Sequence, residues 1–147
     1  MKFWKYHALG NDYLVIHDLA TPYGNIDHVV IAKQGGVFLI ETKAHGGTVW
    51  VENGHLLVNG HNPEKNFIGQ ALKNTYWLRD RIQEVAGLTI WVTPIIVFTN
   101  AFVERTPPVK GVRVVNRRYL LNVLCNPNNR SQNRAIWECR DEIFEAL

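Results

Sequence analysis

Runs of apolar residues separated by turn residues divide the first half of the chain into candidate strands. Residues 13–17, 26–32 and 37–40 are rich in Val, Ile and Leu, and runs that are apolar on both faces are typical of central strands covered on two sides. Residues 48–58 carry Asn53-Gly54 between two apolar runs, which is the strongest short-range signal for a β-hairpin. The first half of the chain therefore predicts several strands.

A helical pattern follows the hairpin. Apolar residues recur at helical spacing up to about residue 85. Asn62 and Pro63 offer a cap and a first-turn proline, and Gly87 is placed to end the helix. The rest of the chain predicts strands at 88–98 and 112–115 and helices near 117–124 and 132–146. This order predicts an α/β fold with a mixed sheet instead of an alternating, doubly wound one.

Length and composition predict one globular domain over residues 1–147. The chain is 46% hydrophobic and 20% charged, which excludes a disordered or low-complexity protein. No apolar run approaches the roughly 20 residues of a membrane span. Charges stand at the start of the chain, where a signal peptide needs its apolar segment. We expect a soluble cytoplasmic protein with no membrane partner, and the oligomeric state stays open.

The distribution of charge is more informative than the net charge of +3. Between positions 105 and 137 the chain has seven basic residues, many Asn residues and no acidic residue. Arg and Asn side chains suit contacts to phosphates and sugars, although a solvated basic face gives the same pattern. The seven candidates for nucleic-acid binding are Arg105, Lys110, Arg113, Arg117, Arg118, Arg130 and Arg134.

Two carboxylates mark the end of the central apolar strands. Alternation places Glu41 and Lys43 on one face, and a turn at residues 33–35 gives cross-strand pairs whose numbers sum to 68, so Asp27 lies opposite Glu41. Like charges in directly opposed positions repel, whereas a divalent cation with oxygen ligands would hold them together. The alternative is structural: a Glu41–Lys43 salt bridge, with Asp27 capping the turn at Asn25.

Histidine and cysteine add little to this hypothesis. The six histidines lack the spacing of zinc ligands, and Cys125 and Cys139 form no C-x-x-C pair. We expect both thiols to be buried structural residues. His28 follows Asp27 in the chain, so alternation places it on the opposite face of the sheet.

Four segments in order resemble the nuclease-related domain (NERD) family, a branch of the PD-(D/E)xK nuclease superfamily. They are Gly-Asn-Ile-Asp-His-Val-Val at 24–30, Gly-Gly-Val-Phe-Leu-Ile-Glu-Thr-Lys at 35–43, Asn62-Pro63 leading to Gln70, and Pro-Ile-Ile-Val-Phe-Thr-Asn at 94–100. The resemblance spans about residues 13–124. It implies a restriction-endonuclease-like fold, with a mixed central sheet flanked by helices.

The resemblance also implies roles for particular residues. Asp27 and Glu41 would be the carboxylates that bind Mg²⁺ or Mn²⁺, and the carbonyl of Thr42 would be a further oxygen ligand. Lys43 would be the lysine of the E-x-K motif, and Gln70 the helix glutamine beside such sites. The implied function is metal-dependent hydrolysis of phosphodiester bonds in DNA, with RNA also open as a substrate and the basic stretch holding the backbone.

Residues 1–12 depart from this family pattern and leave two alternatives. Similar proteins open with a helix that bears a Gly-Glu pair, and residues 1–12 contain no Glu. The chain could therefore be a nucleic-acid-binding module that has the nuclease fold without its activity. The first 16 or so residues also resemble the start of diaminopimelate epimerase, which would make the chain an isomerase relic, although that enzyme's two Gly-rich cysteine motifs are missing.

Overall fold

A seven-stranded mixed sheet forms the centre of the protein. The structure is a computed structural model that describes residues 2–8, 11–33, 36–126 and 134–147, with side chains from Tyr13 onward. The strands of the sheet are β1 (Lys2–Ala8), β2 (Asn11–Leu19), β3 (Ile26–Ala32), β4 (Gly36–Glu52), β5 (His55–Val58), β6 (Val92–Val103) and β7 (Arg113–Asn116).

The strand order explains why the sheet is mixed. The order is β1-β2-β3-β4-β6-β7, and β5 pairs with the second half of β4. Neighbours from β1 to β4 run antiparallel, whereas β4, β6 and β7 run parallel. A parallel connection needs a crossover, and the segment between β5 and β6 supplies it with the long helix α1 (Phe67–Ala86). The expected α/β fold with a mixed central sheet flanked by helices is confirmed.

Helices cover both faces of the sheet. On one face, α1 packs with α3 (Arg134–Glu138) and α4 (Arg140–Ala146) around Leu39, Leu78 and Ile143. On the other face, a 3-10 turn (Arg117–Tyr119) leads into α2 (Leu120–Leu124), which packs on Phe38 and Ile95. None of the helices in the described ranges has the length and apolarity that a bilayer crossing requires.

Strand β4 is the longest strand and changes neighbours along its length. Its first half pairs with β3 from His28–Ile40 to Ala32–Gly36, so the predicted register, in which paired numbers sum to 68, is confirmed. The β3–β4 ladder stops there, while the parallel β4–β6 ladder continues to Val49–Val103. The two strands therefore diverge at the position where the sequence places Asp27 and Glu41.

An irregularity in the β4–β6 ladder lies between Lys43 and Gly46, and the side chain of Asn59 bonds to the backbone of β4 directly after it. Asn59 Oδ1 accepts a hydrogen bond from the Thr48 N–H at 2.9 Å, and its Nδ2 donates to the Gly46 carbonyl at 3.1 Å. Gly47 has a φ of 91°, and a Cβ on it would overlap the Asn59 amide. Only glycine fits both requirements.

The predicted start of α1 was wrong by four residues. The helix begins at Phe67, and its cap is Asn66, whose Oδ1 accepts a hydrogen bond from the Gly69 N–H at 2.9 Å. Asn62 and Pro63 lie in irregular chain before it. Both Asn62 and Asn66 could cap the helix. Asn66 does so because Phe67, the next residue, packs into the core as the first residue of the helix. The predicted end is confirmed, since Gly87 adopts the left-handed conformation of a C-cap.

The remaining predictions need smaller corrections. Residues 2–8 form an edge strand that sequence reasoning did not assign, and the helix expected at 132–146 is two short helices that meet at Cys139, with residues 132 and 133 outside the described residues. Cys125 and Cys139 are half-buried instead of fully buried. The thiol of Cys125 lies 2.9 Å from the hydroxyl of Tyr13.

Candidate active site

The carboxylate of Asp27 lies in the gap where β3 and β4 diverge. Its Oδ2 accepts hydrogen bonds from the Thr42 N–H at 2.8 Å and from the Thr42 hydroxyl at 3.0 Å. The N–H and C=O of one residue leave an extended strand on the same edge, so the Thr42 carbonyl also points into this gap. Asp27 therefore fastens the two diverging strands, and these contacts to Thr42 replace the alternative of a cap for the turn at Asn25.

Glu41 is buried beside Asp27. Its side chain is 6% exposed, and its Oε1 has no hydrogen-bond partner among the described residues. Burial raises the pKa of Glu41 to about 7, and the charge of Asp27 contributes to this increase, whereas Lys43 acts to lower it. The structure thus brings two carboxylates together at the end of the β3–β4 ladder.

Lys43 lies on the same strand as Glu41 and contacts an aromatic ring. Its Nζ lies 4.2 Å from the centroid of the Phe67 ring, a cation–π distance. In the described part of the chain no ion pair joins Lys43 to Glu41 within 4.0 Å, so the structural alternative of a Glu41–Lys43 salt bridge is not formed. The ammonium group is held at the entrance to the carboxylate pair by Phe67, the first residue of α1.

His45 extends this row and was not singled out from the sequence. It is exposed, and its ring centroid lies 5.5 Å from that of Phe67. Glu41, Lys43 and His45 are spaced two apart, so the alternation of strand side chains was the signal that could have indicated it.

Asn74 is a second residue that sequence reasoning missed. It is fully buried in α1, and it acts to lower the pKa of Glu41. Its Oδ1 lies 2.7 Å from the hydroxyl of Thr21, and its Nδ2 has no hydrogen-bond partner among the described residues. Asn74 follows Gln70 by one helical turn, which places both on one side of α1. That spacing was the only signal in the sequence.

Gln70 fastens the turn that precedes β3. Its Nε2 donates a hydrogen bond to the carbonyl of Tyr23. Gly24 has a φ of 102°, and a Cβ on it would come within 2.9 Å of Gln70 Nε2. The structure thus places Gln70 at the 21–24 turn, which sets the start of the strand that carries Asp27.

The basic residues are distributed over both faces of the sheet. Arg117 and Arg118 are exposed and directly follow Asn116, which is level with Phe98 and Lys43 across the sheet. Arg134 is exposed on α3, on the opposite face from α2. Of the remaining candidates, Arg105 and Lys110 are exposed, Arg113 is half-buried, and Arg130 lies outside the described residues. The six of these side chains that the structure describes are not gathered into one surface.

His28 lies on the face opposite Asp27, as the alternation predicted. Its Nδ1 lies 2.7 Å from Nδ1 of His17, its partner on β2. Burial lowers the pKa of His28, and the neighbouring His17 contributes to this decrease. The histidine pair therefore lies on the other face of the sheet from the carboxylates, although the charge of Asp27 acts to raise the pKa of His28.

The donor set in the gap consists of oxygen atoms. In the described ranges no cluster of three or more His, Cys, Asp or Glu residues has a geometry that could hold a metal. Two carboxylates and a carbonyl nevertheless match Mg²⁺, which binds through one or two carboxylates and keeps several waters. Glu41 Oε1, a buried oxygen that no described residue contacts by a hydrogen bond, supports this fit. Mn²⁺ accepts the same hard oxygen ligands.

Comparison with known proteins agrees with this geometry. The family model described as "Nuclease-related domain" (NERD) matches residues 2–99, about two thirds of the chain, so the chain belongs to the nuclease-related domain family. The mixed sheet flanked by helices is consistent with the PD-(D/E)xK superfamily. No curated protein and no solved structure matches the chain.

The extent of the match bears on the N-terminal segment. Residues 2–12, which we expected to be atypical, lie inside the matched range. The resemblance to diaminopimelate epimerase is not shown by any of the three comparisons.

Proposed function

We propose that this protein is a metal-dependent nuclease that hydrolyses phosphodiester bonds in DNA, over a single domain that spans residues 1–147. The observation that carries the proposal is that Asp27, held by the Thr42 N–H, and Glu41 lie together where two strands diverge, with Lys43 two residues beyond Glu41 on the same strand. A nuclease-related chain with this oxygen donor set is suited to binding a divalent cation and a phosphate together.

Each side chain has a distinct part in the proposed reaction. Asp27 and Glu41 would hold Mg²⁺ or Mn²⁺, which polarises a phosphodiester and lowers the pKa of a bound water. Lys43 places its ammonium where it stabilises the negative charge that develops on the phosphate. Asn74 acts to lower the pKa of Glu41 and therefore favours the ionised carboxylate, which is the form that binds a cation. Gln70 keeps the turn before Asp27 in place.

A plasmid-nicking assay tests the proposal. With Mg²⁺ or Mn²⁺ the wild-type protein should convert supercoiled DNA to the nicked form, and EDTA should stop the reaction. Glu41→Gln and Lys43→Ala should lower the rate by about 100-fold or more, a loss typical of a removed electrostatic contact in a transition state. Glu52→Gln, an exposed glutamate at the end of the same strand, is the matched control and should cut like wild type.

A nucleic-acid-binding module without activity is the second candidate. The observation that favours it is the absence of Glu from residues 1–12, together with the strand β1 where similar proteins have a helix. Such a protein would shift labelled DNA on a native gel and leave it uncut at every metal concentration. Parallel assays with RNA of the same sequence decide which nucleic acid is the substrate.

A further inference from the structure

A cavity beside the N-terminal half of α1 contains none of the residues that the proposed reaction uses. Its volume is about 600 Å³, within the range of roughly 300–1,000 Å³ that is typical of small-molecule sites. Leu56, Phe67 and Leu72 give it an apolar wall, and Lys65 and Lys110 stand among the polar residues that complete it. The cavity therefore combines an apolar surface with exposed positive charge.

Phe67 joins this cavity to the candidate active site. Phe67 is one of the residues that line the cavity, and its ring centroid lies 4.2 Å from the Nζ of Lys43. His45 also contacts that ring, with 5.5 Å between centroids. A polymeric substrate that is bound at Lys43 therefore needs to pass only the side chain of Phe67 to reach the cavity.

The chemistry of the lining selects one kind of occupant. Lys65 and Lys110 are exposed cations, and Glu64 is the acidic residue beside them, so positive charge is in excess. Sites for single-stranded nucleic acid pair cations that follow the backbone with apolar or aromatic surface that takes the base. The bases of an intact duplex are stacked inside it and cannot enter a cavity unless they are extruded at a cost.

We propose that this cavity is a subsite for an unpaired nucleotide of the strand that is cut at Glu41 and Lys43. The base lies against the Leu56–Phe67–Leu72 wall, and the adjacent phosphate lies between Lys65 and Lys110. This inference rests on the proposed function and names its substrate class: single-stranded nucleic acid, or a duplex with an unpaired end. It makes Phe67 the boundary between the reacting phosphate and the next nucleotide.

Binding measured in EDTA tests the subsite without any cleavage. Fluorescence anisotropy with a labelled DNA 12-mer should give tighter binding to the single strand than to the blunt duplex. The double variant Lys65→Gln/Lys110→Asn should weaken single-strand binding about tenfold and lower its salt slope by about 0.7, because the two lysines share one phosphate and each neutralised phosphate contributes about 0.7. Asn is chosen at position 110 because Lys110 has a φ of 50°, which Asn tolerates.

The matched control removes the same charge elsewhere. The double variant Lys33→Gln/Arg79→Gln changes an exposed turn at the far end of β3 and a half-buried position far along α1, and it should bind like wild type. An abasic position moved along the 12-mer keeps the test independent of protein folding. One position should cost wild type about fivefold or more in affinity, as expected for a lost base contact, and this cost should be smaller in Lys65→Gln/Lys110→Asn, where the phosphate no longer anchors the nucleotide.

Two contrary results are distinguishable. If wild type binds the duplex as tightly as the single strand, and Lys65→Gln/Lys110→Asn matches its control, the subsite is wrong while the nuclease proposal stands. If wild type binds neither the single strand nor the duplex and nicks no plasmid, the proposed function fails and the subsite fails with it.

Discussion

The ionised carboxylate of Glu41 lowers the stability of the folded protein. The residue is 6% exposed beside Asp27, and its pKa is raised to about 7 by burial first and by Asp27 second. A carboxyl whose pKa is higher in the folded than in the unfolded protein favours folding in its protonated form. Stability therefore falls as pH rises from about 4.5 to about 7, and the full cost is present above pH 7.

We expect Glu41→Gln to stabilise the metal-free protein at high pH. The shift from 4.5 to about 7 corresponds to up to about 3 kcal/mol, and a neutral amide of the same shape avoids this cost. Urea denaturation in EDTA should show the gain at pH 8, a smaller gain at pH 6 and none near pH 4. Glu52→Gln should show no such trend. A variant less stable than wild type at pH 8 would contradict this account of Glu41.

Asp27 differs from Glu41, although the sequence suggests that the two act alike. Replacing either residue relieves the repulsion, but only Asp27 accepts the two hydrogen bonds from Thr42. Asp27→Asn keeps an acceptor for Thr42, whereas Asp27→Ala leaves it unsatisfied. We expect the Ala variant to be less stable than the Asn variant by about 1–3 kcal/mol in EDTA. Equal stabilities of the two variants would show that Asp27 does not fasten the strands.

At the scale of elements, local pattern predicted the central strand β3, whereas it missed the edge strand β1, placed β6 (Val92–Val103) at 88–98 and misplaced the start of α1. The bounds of β3 and its register with β4 were predictable because an apolar run and one turn length define them. The start of α1 was not, since Asn62 and Asn66 both satisfy the capping rule. The same distinction holds in the site. Asp27 and Glu41 could be paired from the register, whereas Asn74 is brought to Glu41 by the packing of α1.

We predict that the 3-10 turn after β7 contacts the phosphates of nucleic acid. Arg117 and Arg118 are exposed at the end of β7, and the backbone N–H of Arg118 is held by the side chain of Asn116. Replacing both by Ala should lower the salt slope of duplex binding by up to about 1.8, because each phosphate contact contributes about 0.9. The loss should be similar for unrelated sequences, since phosphates carry no base information.

Filter binding at several salt concentrations measures this slope, with Lys33→Gln/Arg79→Gln as the control of equal charge. An unchanged slope for Arg117→Ala/Arg118→Ala would identify these side chains as an ordinary solvated surface. It would leave the carboxylate site unaffected, because no contact described above joins the two.

At the scale of the whole molecule, a cation that binds the folded state alone should stabilise the entire fold. Mg²⁺ at about 100 times its dissociation constant adds about 2.7 kcal/mol, which is about 5–10 °C in Tm for a protein of this size. We expect wild type and Glu52→Gln to show this increase and Asp27→Asn and Glu41→Gln to lose most of it. Differential scanning fluorimetry measures it, and an equal increase in all four proteins would mean that the ion binds elsewhere.

The parallel pairing of β4 with β6 also governs the order in which the chain can fold. Val37 pairs with Val92, 55 residues later (92 − 37), whereas Ala32 and Gly36 of the β3–β4 hairpin are 4 apart (36 − 32). Closing a long loop costs more entropy, so pairing between distant residues forms late and slowly. In that order, Asp27 and Glu41 would come together while the β3–β4 hairpin is still hydrated, and they would lose their water when α1 and β6 dock. We therefore expect refolding, followed by stopped flow, to slow as pH rises through 7 in wild type and not in Glu41→Gln.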